Sequence, residues 1–421
     1  MKWAAVLLCV VVFYAFGRSA RRAPRHRVAL AVAIGVLPFF DITLNPISYE
    51  AYRGDARGLE FSLVDFVALA SLAAVPAGRG AIPPLAWRNA MYLLVCAAST
   101  FAAPNPLFAG FAVWKALRAA LLFVAVHRLV SFDDRGPDVL RGLALGVVAS
   151  GALALQQRYL LGHFVSTGPF SHQNGLAMAV NMVVPPCYAL ALAGRGGALA
   201  KAAVAAGAVA VVLTLSRGGL AMYAMALGIV YVGSLAKRAS ARKVVFLVAS
   251  LGAAAAILLK SLDTIVERFL TAPDASHEAR ELFEEAARRM LRDHPGGIGL
   301  NQYSFVLDRT YADPLGNPDI DRDGIVHNIY WLTTAELGYA GIVTFGLLLV
   351  APLLAALEGA WRERDSAVGD VLLGACGAFA VTLLHSTLEW ALRITQVGFV
   401  FWVVGGLAVG LRDHRRMLLG A

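Results

Sequence analysis

The sequence predicts an all-α integral membrane protein, a polytopic bundle of about 12 transmembrane helices with one large helical loop outside the bilayer. Three observations predict it. Hydrophobic residues make up 58% of the 421-residue chain and charged residues only 15%, with a mean hydropathy of +0.65, far from the balance of a soluble domain. Apolar stretches recur from one end of the chain to the other, and a single long polar segment, 262–326, interrupts them.

The apolar stretches fall at 3–17, 28–40, 59–76, 87–103, 107–130, 139–161, 173–193, 199–215, 220–235, 244–261, 329–357, 366–388 and 394–411. A span needs about 20 residues and tilt is common, so the shortest are candidates for partial or re-entrant crossings. Arg18, Arg21 and Arg22 follow the first stretch with no small-residue cleavage site before them, which reads as a retained helix and not a removed signal peptide. The chain thus divides into a membrane bundle over 1–261, a large loop over 262–326 and further membrane helices over 327–421.

Orientation follows from lysine and arginine, which are retained on the cytoplasmic side of short loops. Clusters at Arg18 to Arg27, Lys237 to Lys243, Arg362 to Arg364 and Arg412 to Arg416 belong inside. The loops 41–58 and 162–172, the Ser216-Arg217-Gly218-Gly219 turn and the segment 262–326 then share the outer face. That segment holds 13 of the 28 acidic residues and 7 of the 37 Lys+Arg, so it is net −6 while the remainder is net +15. The overall charge of +9 is therefore topological and gives no reason to expect nucleic acid. Cys9, Cys96, Cys187 and Cys376 all lie in apolar stretches with no metal or redox spacing, which reads as buried thiols.

Inside the large loop the pattern from Asp274 to Asp293 is helical, with Leu282, Ala286 and Met290 at i, i+4 spacing and Phe283, Ala287 and Leu291 beside them. Pro295, Gly296 and Gly297 end it. Arg280, Glu284 and Arg288 occupy the other face, so the helix is amphipathic and is expected across the outer mouth of the bundle, its apolar stripe on membrane helices or lipid.

Arg217 stands between the apolar runs Leu199 to Leu215 and Leu220 to Leu235. An arginine at the centre of a membrane helix costs about 2.5–3.5 kcal/mol even on lenient insertion scales. Its five-donor fork suits bidentate capture of phosphate, and an interfacial side chain reaching for water accounts for it equally. Three further polar groups belong to the same outer face: Ser171-His172-Gln173-Asn174, the arginines of 274–293, and Asp323 to His327-Asn328. Convergence of this kind reads as a site, although polar residues at helix ends are normal in any polytopic protein. His385 and Glu389 lie one helical turn apart near the outer end of the penultimate span, as a functional or a structural pair. Asp319, Asp321, Asp323 and Gly324 begin like a calcium loop, but the twelfth position is Tyr330 where a bidentate carboxylate is needed, so no metal is expected.

Four segments carry a resemblance: "GPFSHQNGLA", "LTLSRGG", "HEAR…HPGGIGLNQY" and "VHNIYWLTTAELGYAGI". In this order, with this hydropathy, they resemble the O-antigen ligase and Wzy-like superfamily of bacterial envelope glycosyltransferases. The resemblance implies a multi-pass protein of the cell inner membrane that moves a glycan from undecaprenyl pyrophosphate to an acceptor at the periplasmic face. It needs neither nucleotide sugar nor cofactor. For the ligases the acceptor is lipid A-core. By the same resemblance Arg217 and Arg280 are the pyrophosphate-binding arginines, with Arg288 as runner-up; His327 is the general base; His172, Asn174 and Asn328 are further site candidates. Helical ion pairs with Glu284 and Glu285 remain an ordinary account of Arg280, Arg288 and Arg289. The polymerase of the same superfamily is the nearest rival, a protein-directed oligosaccharyltransferase the next. A non-enzymatic lipid-linked saccharide flippase is the alternative of a different class; no duplication of halves, as transporters often have, is visible in the chain.

Overall fold

The computed structural model describes residues 1–75, 86–245, 247, 248, 252, 275–315 and 321–419. The helices are α1 (Lys2–Ala20), α2 (Pro24–Val36), α3 (Leu63–Ala74), α4 (Ala86–Ser99), α5 (Pro106–Asp133), α6 (Gly136–Tyr159), α7 (Gln173–Ala193), α8 (Gly197–Leu213), α9 (Arg217–Lys237), α10 (Ala275–Asp293), α11 (Tyr303–Val306), α12 (Ile329–Arg362), α13 (Ala367–His385) and α14 (Thr395–Leu419). Among the described residues eight helices are long and apolar enough to cross a membrane, and α3 and α8 are shorter apolar helices. The protein is therefore an all-α integral membrane protein. Most of the apolar stretch 244–261, all of 262–274, and 316–320 with Asp319 lie outside the described residues.

The sequence accounts for most helix boundaries. Ser216 and Ser366 cap α9 and α13 by accepting from Gly219 N and Gly369 N, each at 3.0 Å. Ser62 and Asp65 form a capping box on α3. Pro106 sits at the first position of α5, where its missing N–H costs nothing. Gly194, at φ 78°, ends α7 in the left-handed conformation.

Two features differ from the expectation of helices joined by loops. The 41–58 loop and the first residues of the 59–76 stretch form an antiparallel hairpin, β1 (Thr43–Ser48) with β2 (Gly58–Ser62), whose register slips between Leu44 and Ile47. It is held on α5 by Trp114, which donates to Glu60 O at 2.8 Å. The second feature is a break in α12. Gly338 has φ 63° and ψ −161°, a region open essentially to glycine alone. The carbonyls around the break are met by the segment after α10: Ile298 N donates to Ala335 O at 3.0 Å and Gly299 N to Glu336 O at 2.9 Å. Irregular backbone at membrane depth persists only where protein satisfies it in this way. The same segment continues to the end of α4 and the 41–58 loop, where Leu300 N meets Ser99 Oγ at 3.2 Å and Asn301 donates to Ala56 O at 2.7 Å. A buried Arg393 guanidinium ties the region together through Asp55 at 3.2 Å and Glu336 at 3.0 Å.

Helix α10 is amphipathic as expected, and of the two surfaces expected for its stripe, membrane helices or lipid, it packs on the first. Phe283, Ala286, Ala287 and Met290 are buried against Ile298, Tyr303, Leu307, Val326 and the first turns of α12 at Leu332 and Ala335. Leu282 and Leu291 are only half-buried. This small second core anchors the outer segment on α12.

The two ends of the bundle differ in chemistry. At one end the basic clusters meet carboxylates: Arg27 with Asp133 at 2.9 Å, Arg195 with Asp370 at 2.6 Å, and Arg416 with Glu358. At the other end α7, α9 and α12 begin and α13 finishes, and there the candidate residues lie.

Candidate active site

Three helix starts and one turn position the site. His172 caps α7, its Nδ1 accepting from Asn174 N at 3.2 Å. Asn328 caps α12, its Oδ1 accepting from Tyr330 N at 3.1 Å and Trp331 N at 3.3 Å, which fixes His327 one residue ahead of the cap. Arg217 is the first residue of α9, where peptide N–H groups already favour an anion. The turn after α13 carries Glu389.

Glu389 organises the cluster. It is 6% exposed, and its Oε1 accepts from Asn174 Nδ2 at 2.6 Å and from Arg280 at 3.2 Å, while Oε2 lies 3.3 Å from His327 Nδ1. Burial pushes this carboxyl up. The hydrogen bond and charge of His327, with the charges of Arg280 and His385, outweigh that and hold it below the usual carboxylate range. An ionised carboxylate only accepts, so His327 Nδ1 must carry the proton of that bond. In the neutral ring Nε2 then holds the lone pair, as in a base oriented by an acid.

His327 and Glu389 line a polar cavity of about 340 Å³, together with His172, Asn174, Trp390 and, from the 41–58 loop, Arg53 and Arg57. Arg53 also reaches Asp323 at 3.4 Å. A second cavity of about 230 Å³ shares Gly54, Arg57, Ser171, Trp390 and Ile394 with the first and continues toward Lys115 and Gln396. Among the described residues no group of His, Cys, Asp or Glu has the arrangement of a metal site.

The structure thus brings His327, Asn174, Arg280 and His172 to one place. Neither Arg217 nor Arg280 is among the residues that line the His327 cavity. Arg280 bonds Leu388 O at 3.4 Å as well as Glu389. A Cβ on Gly218, next to Arg217, would lie 3.4 Å from His385 Nε2 and 3.7 Å from Leu388 Cδ1. Arg288 is placed otherwise: it pairs with Glu284 at 3.4 Å and Glu285 at 3.1 Å and lies 5.6 Å over the Trp331 ring. Asn328 is occupied with its cap and a 3.4 Å contact to Glu284.

Sequence reasoning set Glu389 beside His385 as a one-turn helical pair. The helix ends at His385, and the turn carries Glu389 across to His327 and Arg280. Arg53, Arg57 and Trp390 went unnoticed. The one signal for the first two was a charged run, Arg53 to Arg57, inside an outward loop.

Fold and site together define a multi-pass helical membrane protein with histidine, carboxylate and guanidinium groups gathered at one end. Residues 202–346, from α8 into α12, match the O-antigen ligase family model, consistent with a member of the O-antigen ligase and Wzy-like superfamily. The match supports a ligase- or polymerase-type role in O-antigen processing, that of an enzyme acting on lipid-linked saccharides. It spans Arg217, Arg280 and His327, while Asn174 and Glu389 fall outside it. No curated protein matches the chain.

Proposed function

We propose that the protein is an O-antigen ligase, transferring glycan from undecaprenyl pyrophosphate to lipid A-core at the periplasmic face of the inner membrane, with inversion and without a metal. The observation that carries this reading is Glu389, which joins His327 Nδ1, Arg280 and Asn174 on one buried carboxylate. The division into a bundle over 1–261, a periplasmic loop over 262–326 and C-terminal helices over 327–421 belongs to the same reading, as does the side: the basic clusters lie at the other end of the bundle.

In this mechanism the acceptor hydroxyl gives its proton to His327 Nε2 as its oxygen forms the new bond to the anomeric carbon. The bond from that carbon to the pyrophosphate breaks on the opposite face, and the electron pair leaves with the diphosphate. Glu389 stabilises the imidazolium that forms. Arg217, reinforced by the N–H groups at the start of α9, and Arg280 stabilise the charge growing on the leaving group.

Arg217→Ala and Arg280→Ala are each expected to raise the KM for the lipid-linked donor or lower kcat/KM by about tenfold to hundredfold, the loss of one or two charge-assisted hydrogen bonds of about 1.5–3 kcal/mol in total. Arg288→Ala should leave kcat/KM within about twofold, since its helical ion pairs are worth only about 0.3–0.5 kcal/mol each. Steady-state assays with purified protein and synthetic donor decide this, and the reverse ranking would remove Arg217 and Arg280 from the site. Transfer should also proceed unchanged in excess EDTA; loss of turnover on chelation, restored by a divalent cation, would contradict the metal-free reading.

A further inference from the structure

The end of the bundle away from His327 holds two cavities that the transfer mechanism does not use. One, of about 470 Å³, lies among the ends of α7, α9 and α13 and is lined by Arg195, Lys237, Arg238, Arg242, Lys243 and Arg364, with Asp365 and Asp370 as its carboxylates. Asp370 is buried and shared, bonding Arg195 at 2.6 Å and Lys237 at 3.3 Å. Lys243 is turned onto backbone oxygens, Ser234 O and Arg238 O, both at 2.6 Å, and Arg364 donates to Ala236 O. Arg242 packs against Gly194, where a Cβ would strike its guanidinium. The cup is therefore cationic beyond what its own carboxylates neutralise.

The other cavity, of about 410 Å³, is mostly apolar and lies between α6, α7, α8 and the start of α13, with Leu140, Ala144, Leu190, Leu199, Val368 and Val371 on its wall. Arg195 lines both. A surplus of cations at this end is what any set of cytoplasmic loops would carry. The specific observation is their arrangement around a concavity that continues, at Arg195, into a hydrocarbon-lined cleft. A charged cup joined to an apolar cleft at membrane-surface depth complements one kind of molecule, an anion with an acyl tail.

We propose that this end of the bundle binds an anionic phospholipid, its phosphate in the cup of Arg195, Arg242 and Arg364 and one acyl chain in the cleft between α6, α7 and α8. The lipid would join the α7, α9 and α13 ends and stabilise the bundle from the face opposite the proposed chemistry. This inference is independent of the reaction proposed above.

The test is a titration of delipidated, purified full-length protein, followed by thermal shift and by native mass spectrometry. The probes are phosphatidylglycerol, phosphatidylcholine of identical chains, glycerol 3-phosphate and inorganic phosphate. Phosphatidylglycerol should be retained, and raise Tm, at concentrations at least about tenfold below phosphatidylcholine, a preference of about 1.4 kcal/mol; the two soluble phosphates should give no comparable shift. The Arg242→Gln/Arg364→Gln double variant should lose the preference, while Arg309→Gln at the other end keeps it. Equal binding of the two lipids by the wild-type protein overturns the proposal, and this comparison needs no variant to fold. So does a double variant that keeps the preference. A full shift with inorganic phosphate alone would identify a free-phosphate site and overturn the role of the cleft.

Discussion

His327→Ala is expected to lower kcat by about 10²- to 10⁴-fold, the usual contribution of a positioned general base, while donor binding changes little. The size of the loss follows from the geometry: the imidazole is oriented by Glu389 at 3.3 Å, and alanine leaves no group to accept the hydroxyl proton. Glu389→Gln refines the test. The Glu389 carboxyl is held below the usual range, so it is ionised throughout the neutral region and stabilises the imidazolium formed on proton transfer. Removing that charge should lower kcat at neutral pH. A Glu389→Gln enzyme with the wild-type kcat would reduce the carboxylate to a packing role, and an active His327→Ala enzyme would remove the base.

Gly338→Ala should be the most damaging single change to the fold, at about 3 kcal/mol or more. The φ and ψ of this residue, 63° and −161°, exclude a side chain at about 1–3 kcal/mol of strain. A Cβ there would also lie 2.3 Å from Pro295 O and 2.5 Å from Gly296 C, so either the α12 break or the 295–299 segment must move. That movement would undo the bonds to Ala335 O and Glu336 O and loosen the second core under α10, and with it Arg280. Gly346→Ala, on the same helix with nothing within 4 Å of its added carbon, is the control and should be neutral or stabilising by up to about 1 kcal/mol. Thermal unfolding of the two variants compares them directly. A Gly338→Ala protein with the wild-type Tm would show that the break is not required.

These two residues also mark how far the sequence can be read. Helix α7 was legible at its observed bounds because a polar His172-Gln173-Asn174 start and Gly194 delimit an unbroken apolar run. The break at Gly338 was not legible. "ELGYAGI" has the hydropathy of continuous helix, and only the approach of 295–299, some forty residues earlier, makes the glycine obligatory. The hairpin at 43–62 was hidden for a related reason: each strand is five or six residues long, one contains Pro46, and their stability comes from packing on α5.

The site divides in the same way. His327, His172, Asn174 and Arg217 each open an apolar run, so polarity at a helix start singled them out. What joins His327 and Asn174 to Arg280 is Glu389, whose direction depends on where α13 ends, and spacing alone set it beside His385. Arg288, the runner-up for phosphate by resemblance, is paired with Glu284 and Glu285 within one turn, the ordinary account that the sequence had offered beside it.

The central claim is that one histidine at this face forms a glycosidic bond to lipid A-core while guanidinium groups release the diphosphate. It is tested most directly by reconstituting purified protein with undecaprenyl-pyrophosphate-linked glycan and truncated lipopolysaccharide in excess EDTA. The expected product is glycan joined to lipid A-core, lost in His327→Ala and in Arg217→Ala. Glycan lengthened on its undecaprenyl carrier, or carried across the bilayer with no new bond, would contradict it.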